Sequence, residues 1–133
     1  MTTKDNGAFN DPLAEIMRDQ IRNNLDLLAN GCKISDVGAL TVQHDIGELV
    51  TRVVCAALKH IRMTGGWVHR IHATWDIVSP HPVLTISVGS THGEAMVSFT
   101  DSTDFCRLQK EARELRGKLV MKNTEVSLSL PLH

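Results

Sequence analysis

Apolar and polar residues alternate with a period of two over residues 67–78, and this alternation is the clearest structural signal in the chain. It predicts a half-buried β-strand, whose side chains point to opposite faces in turn. Pro80 and Pro82 end the run because proline supplies no amide donor to a sheet. Two further apolar runs, residues 83–88 and 95–99, follow across turn-forming residues. We therefore predict three consecutive antiparallel strands in the middle of the chain.

Apolar residues at spacings of three and four predict two helices before these strands. Residues 11–30 carry one apolar stripe, with Asp11 as a cap, Pro12 in the first turn and Gly31 as the terminator. Residues 42–61 carry a wider stripe that ends before a pair of glycines. The width of the second stripe indicates the central helix of the fold, or a helix shared with another subunit.

One more helix and a last strand are predicted towards the C-terminus. The helix begins at the capping residues 101–104 and ends at Gly117. On it, Arg107 lies four residues before Glu111, a spacing that predicts a self-neutralised, solvated face. Residues 125–130 alternate as a strand does, and an extra strand is allowed near residue 119.

Together these elements predict an α+β fold in the order α-α-β-β-β-α-β. An antiparallel sheet of about four strands would pack against two or three helices. Residues 1–10 are polar and aperiodic, and we expect a flexible N-terminal tail there. Residues 11–133 are expected to form a single domain, because 133 residues suit one hydrophobic core.

Composition excludes some functions and leaves others open. The formal net charge is −1 with histidine neutral, which gives no general attraction for nucleic acid or an anionic membrane. Nucleic-acid binding therefore ranks third among our hypotheses, and no membrane association is expected. The chain shows no signal peptide and no bilayer-spanning run, so a cytoplasmic location is predicted.

The three cysteines are widely spaced and form no CxxC pair, so they encode neither a zinc knuckle nor a redox motif. We expect reduced thiols. Cys55 falls within the apolar stretch of the second helix and is predicted to be buried and inert. Cys106 lies at the start of the third helix, where Asp101 and Asp104 oppose activation of its thiol by the helix dipole.

Histidine, serine and carboxylate residues form no recognisable catalytic or metal-binding pattern. His69 and His72 are three residues apart on one strand, so they point to opposite faces and do not converge on one ion. No serine sits in a GxSxG elbow, and no spacing matches a nucleotide-binding glycine motif. We therefore predict no catalytic residue, no metal and no cofactor.

The leading functional hypothesis is a non-enzymatic protein-binding module of the adaptor, chaperone or inhibitor type. It would act through an apolar surface and form a homodimer, and tryptophan is enriched at such interfaces. The candidate interface residues are Trp67, Trp75, Ile16, Ile21 and Leu25.

The alternative hypothesis is the binding or sequestration of a small anionic ligand or nucleotide. The turn at residues 89–93 offers hydroxyl groups and backbone amides that suit an anion, and the neighbouring strands add positive or polar side chains. The candidate ligand-binding residues are Arg70, His72, His81, Ser90, Thr91 and His92.

Overall fold

The computed structural model describes residues 10–38, 40–76, 80, 82–91, 93–122 and 124–132. Helices and strands follow one another there with short connections. They are β1 (Asn10–Pro12), α1 (Leu13–Asn23), a 3-10 turn (Leu25–Leu27), β2 (Leu28–Ile34), β3 (Thr41–Gln43), α2 (His44–Thr64), β4 (Val68–Asp76), β5 (Val83–Ser90), α3 (Gly93–Thr100), α4 (Thr103–Glu114), β6 (Lys118–Lys122) and β7 (Glu125–Pro131).

The predicted α+β class is confirmed, with a sheet that is mixed rather than purely antiparallel. Its strand order is β2-β4-β5-β7-β6, and β2 runs parallel to β4 while the other neighbours are antiparallel. The parallel pair arises because α2 lies between β2 and β4 in the chain and acts as their crossover. The short strands β1 and β3 form a separate antiparallel pair.

Two predicted elements differ from the structure. The first helix ends at Asn23 rather than near residue 30, and the side-chain amide of Asn24 donates to the carbonyl of Gln20 (2.8 Å) just beyond its end. The residues that follow become β2, which supplies the fifth strand of the sheet. The predicted strand at residues 95–99 is instead part of α3. A short apolar run cannot be assigned by periodicity alone, and here Met96 and Phe99, three residues apart, are both fully buried.

Helix α2 is the centre of the core, as its wide apolar stripe predicts. It ends at Gly65, whose φ of 80° is the left-handed conformation that glycine adopts at low cost. The helix packs against α1, α3, α4 and the strands β5 and β7. The buried side chains of its inner stripe include Leu49, Val50, Val53, Val54, Ala57, Leu58 and Ile61.

The helix α4 and the strand β7 also form where they are predicted. Ser102 caps α4 by accepting a hydrogen bond from the backbone amide of Phe105 (3.2 Å). Three apolar side chains of β7 are buried against the helices, while its alternate residues face outwards. The sheet and the helices thus form two layers, with α2 and α4 side by side in the helical layer.

No helix in the described part of the chain is long and apolar enough to cross a membrane.

Candidate functional site

A groove of about 280 Å³ lies between α2 and α4. Arg52 pairs with Glu111, and the preceding residues of α2, Asp45 and Glu48, share a pocket with the following residue of α4, Glu114. The two helices therefore run antiparallel, which places Lys59 and Asp104 towards the other end of the groove. Each helix presents residues at spacings of three and four over two turns, about 10.5 Å of helix. The lining consists of Arg52, Cys55, Ala56, Lys59, Asp104, Arg107, Leu108 and Glu111.

The charges of this groove are distributed unevenly. Three cations face two carboxylates, so the lining carries one net positive charge. Arg52 is held by Glu111, and its other guanidinium nitrogen lies 4.0 Å from Glu48. Within the described residues, Lys59 and Arg107 take part in no ion pair, and both are exposed. Two cations without an ion-pair partner among the described residues therefore line the same groove and are open to solvent.

The prediction that Arg107 pairs with Glu111 is wrong, because Glu111 has a different partner. Glu111 accepts a hydrogen bond from Arg52, which lies 59 residues away in the chain. The neighbour on the same helix, Arg107, is left free to face the groove. Packing of α2 against α4 thus supplies Glu111 with a tertiary partner instead of the local one.

Cys55 lies on the groove side of α2 and is exposed, so the prediction that it is buried is wrong. Its position falls at the edge of the apolar stripe rather than within it. The thiol donates to the side-chain carbonyl of Gln20 on α1 (2.9 Å). Cys106 is exposed as well, whereas Cys32 is partly buried and desolvation raises the pKa of its thiol.

The predicted anion-binding residues are divided between the two faces of the sheet. Arg70 and His72 point outwards, where Arg70 pairs with Glu125 (3.4 Å) and the ring of His72 hydrogen-bonds to Ser35 (2.8 Å). Ser90 is only 1% exposed. Strand register explains the separation, because Arg70 lies opposite Gly89, the residue next to Ser90.

Thr91 closes the end of the β4–β5 hairpin, since its hydroxyl accepts from the backbone amide of Trp67 (3.2 Å). His81 and His92 lie outside the described residues. The described members of the predicted set line none of five pockets formed by the described residues. An anion site in the 89–93 turn stays a prediction.

The candidate interface residues are spread over several surfaces. Trp67 is 49% exposed and lies just before β4, and Leu25 is 63% exposed in the 3-10 turn. Ile16, Ile21 and Trp75 are half-buried and pack against the core. The homodimer stays a prediction.

A second polar cluster joins the N-terminal strand to α2. The ring of His44 lies between two carboxylates, with Nδ1 3.0 Å from Asp11 and Nε2 2.7 Å from Glu48. The hydrogen bond to Asp11, followed by the charge of the same carboxylate and then Glu48, raises the pKa of His44. Among the described residues, no three His, Cys, Asp or Glu side chains are arranged to hold a metal ion.

This arrangement predicts a pH-dependent contribution of His44 to stability. A raised folded-state pKa means that the contribution is complete below the unfolded value of 6.5 and is lost as the pH rises through the folded value. We expect H44Q to lower Tm more at about pH 6 than at about pH 9, because the charged ring makes its contribution at the lower pH. The difference in Tm between the two pH values is expected to be small because the side chain of His44 is half-exposed. A larger loss at the higher pH would contradict the assignment.

Comparison with solved structures identifies proteins of the same architecture. The ATP-binding domain of PrrB from Mycobacterium tuberculosis superposes with a TM-score of 0.60 at 13% identity, covering 96% of this chain and 99% of that chain. The histidine kinase domain from the blue-light activated histidine kinase EL346 of Erythrobacter litoralis has a TM-score of 0.60 at 17% identity. The Acinetobacter baumannii histidine kinase AdeS has a TM-score of 0.55 at 9% identity.

This chain has the fold of the PrrB ATP-binding domain, and it shares that fold with the two histidine kinases. The match to the Erythrobacter protein includes 98% of this chain, and the match to AdeS includes 93% of it. This chain spans only 66% of each of those two proteins' chains. No protein-family model matches the sequence, and no curated protein matches it. At these identities the likeness establishes the fold alone.

The leading functional hypothesis is therefore wrong. The hypothesis of a non-enzymatic adaptor, chaperone or inhibitor is overturned by the finding that the chain shares its fold with the ATP-binding domain of PrrB and with two histidine kinases. The alternative hypothesis, a small anionic ligand or nucleotide, agrees better with that fold. The groove residues Arg52, Lys59 and Arg107 are not among the candidates that the sequence suggested.

Proposed function

We propose that this chain binds a nucleotide through its phosphates in the groove between α2 and α4. The observation that carries the proposal is the pair of free cations, Lys59 and Arg107, in a groove whose lining has a net positive charge. The fold supports it, because the PrrB domain that superposes on nearly the whole chain is an ATP-binding domain.

The chemistry of the lining suits the two parts of a nucleotide. Lys59 and Arg107 offer charged donors to phosphate oxygens, and such hydrogen bonds are stronger than neutral ones. Ala56 and Leu108 give the groove an apolar surface on which a base or a sugar can rest. The volume of about 280 Å³ is close to the lower end of small-molecule pockets, about 300 Å³.

Thiol protection tests this proposal at the groove itself. Cys55 lines the groove and is exposed, whereas Cys106 is exposed on α4 but does not line it. We expect ATP to slow the alkylation of Cys55 and to leave the alkylation of Cys106 unchanged, as measured by mass spectrometry of the two cysteine peptides. Calorimetric titration with ATP gives the affinity in the same buffer.

Two results would contradict the proposal. ATP that produces no binding heat and protects neither cysteine rules out nucleotide binding by this chain. Binding heat without protection of Cys55 places the nucleotide somewhere other than the groove. Equal protection of Cys55 and Cys106 points to a general change in the protein, and it also argues against the groove as the site.

A further inference from the structure

We infer that the ion pair between Arg52 and Glu111 is an electrostatic latch that limits the affinity of the groove for polyphosphates. This inference rests on the proposed function, and it assigns a specificity role to Glu111. In the latched state Glu111 neutralises Arg52, so that only Lys59 and Arg107 remain free. A polyphosphate that reaches Arg52 has to displace the Glu111 carboxylate.

The position of Arg52 at a boundary supports this role. On one side lies the groove, which has a net positive charge. On the other side lies a second pocket, of about 150 Å³, in which Arg52 is accompanied by four carboxylates. Those carboxylates belong to Asp45, Glu48, Glu111 and Glu114. These carboxylates repel an anion that would extend past Arg52 into the second pocket. The latch therefore marks the end of the space that phosphates can occupy.

The exposure of the two partners allows the latch to open. The side chain of Arg52 is 50% exposed and that of Glu111 is 29% exposed, so water can solvate both when they separate. An ion pair with this much exposure contributes little to folding. Exchange of one carboxylate for a phosphate on Arg52 replaces one charge-assisted contact with another.

Replacement of Glu111 by glutamine is expected to raise the affinity for ATP by roughly fivefold to tenfold, because Arg52 loses its hydrogen-bonded carboxylate and a nearby negative charge is removed. The gain for AMP is expected to be smaller because AMP presents fewer charges. E114Q is the matched control. It removes the same charge one turn along α4, from a residue that lines the second pocket and not the groove.

The variant R52Q separates a latch from simple repulsion. If Glu111 holds Arg52 away from the phosphate, the gain from E111Q in the R52Q background is at least threefold smaller than in the wild-type background. Equal gains in the two backgrounds would overturn the latch, because they would show that only the carboxylate charge matters. A gain from E114Q that equals the gain from E111Q would also overturn it.

Calorimetric titration of the full chain with ATP and with AMP measures all of these affinities, and thermal melting verifies that each variant is folded. Failure of the latch is distinguishable from failure of the proposed function. If the wild type binds ATP with Cys55 protected and the gains are equal, the latch alone is overturned. If neither the wild type nor E111Q binds ATP, the proposed function and the latch are both overturned.

Discussion

Replacement of Gly117 with alanine is expected to lower the free energy of unfolding by about 3 kcal/mol. A Cβ atom at this position would lie 2.2 Å from the backbone carbonyl oxygen of Ser129 and 2.5 Å from Cδ2 of Leu130. The carbonyl cannot move aside, because Ser129 belongs to β7, which is paired with β5 on one side and β6 on the other. The junction between α4 and β6 would have to move instead.

That junction is fixed by a second contact. The backbone amide of Gly117 donates to the carbonyl of Ala112 (2.7 Å) and closes the last turn of α4, next to Arg116, whose φ is 65°. Movement of Gly117 away from β7 would weaken this hydrogen bond and shift the helix that forms one wall of the groove. The urea midpoint of G117A, with the slope of the transition, measures the loss.

The variant G65A provides the control for this prediction. Gly65 has a φ of 80°, but a Cβ atom there would meet nothing within 4 Å. Its replacement therefore costs only the strain of a left-handed alanine, about 1 kcal/mol. If G117A and G65A lose the same stability, the steric explanation for Gly117 is wrong.

Much of the helical layer could be predicted from local pattern. The stripe of α2 recurs over about five turns and ends at a glycine, and both signals survive in the folded chain. The helix α4 and the strand β7 follow the same logic. The sequence predicts Gly117 as a helix terminator, which matches its place after α4. Its close approach to Ser129 depends on where β7 lies in the sheet, and a local sequence pattern cannot predict that.

The errors in the fold occur where local signals are ambiguous. Leu25 and Leu28 continue the helical spacing of α1, yet the chain leaves the helix and forms β2, because a place beside β4 is available for it. The apolar run at residues 95–99 is too short for its periodicity to distinguish a helix from a strand. In the structure it is helical, with Met96 and Phe99 buried on the same side of α3.

The groove was missed for a related reason. On α2, Arg52 and Lys59 occupy the polar side of an amphipathic helix, which is usually a solvated face. On α4, Arg107 has a partner at local spacing, so its charge appears neutralised. Only the packing of the two helices shows that Glu111 is taken by Arg52 and that Arg107 is free. A spacing of seven residues between charges on each helix was the one available signal.

Removal of both free cations is expected to have the largest effect on binding. K59A and R107A are each expected to lower the affinity for ATP by about tenfold or more, and the double variant by about a hundredfold, because each loses a charge-assisted hydrogen bond to phosphate. Neither side chain takes part in an ion pair within the described residues and both are exposed, so the free energy of unfolding is expected to stay nearly unchanged. Calorimetric titration and urea denaturation measure the two quantities separately.

The variant K110A is the matched control for this loss. Lys110 is an exposed cation on α4 that does not line the groove. Its replacement by alanine changes the net charge of the protein by the same amount as K59A or R107A does. If K110A weakens ATP binding as much as R107A does, the attraction is a property of overall charge rather than of the groove. D104N gives the opposite test, because removal of a carboxylate at the Lys59 end is expected to strengthen binding. A loss of affinity in D104N would mean that Asp104 contacts the ligand directly, and the phosphates would then have to lie elsewhere along the groove.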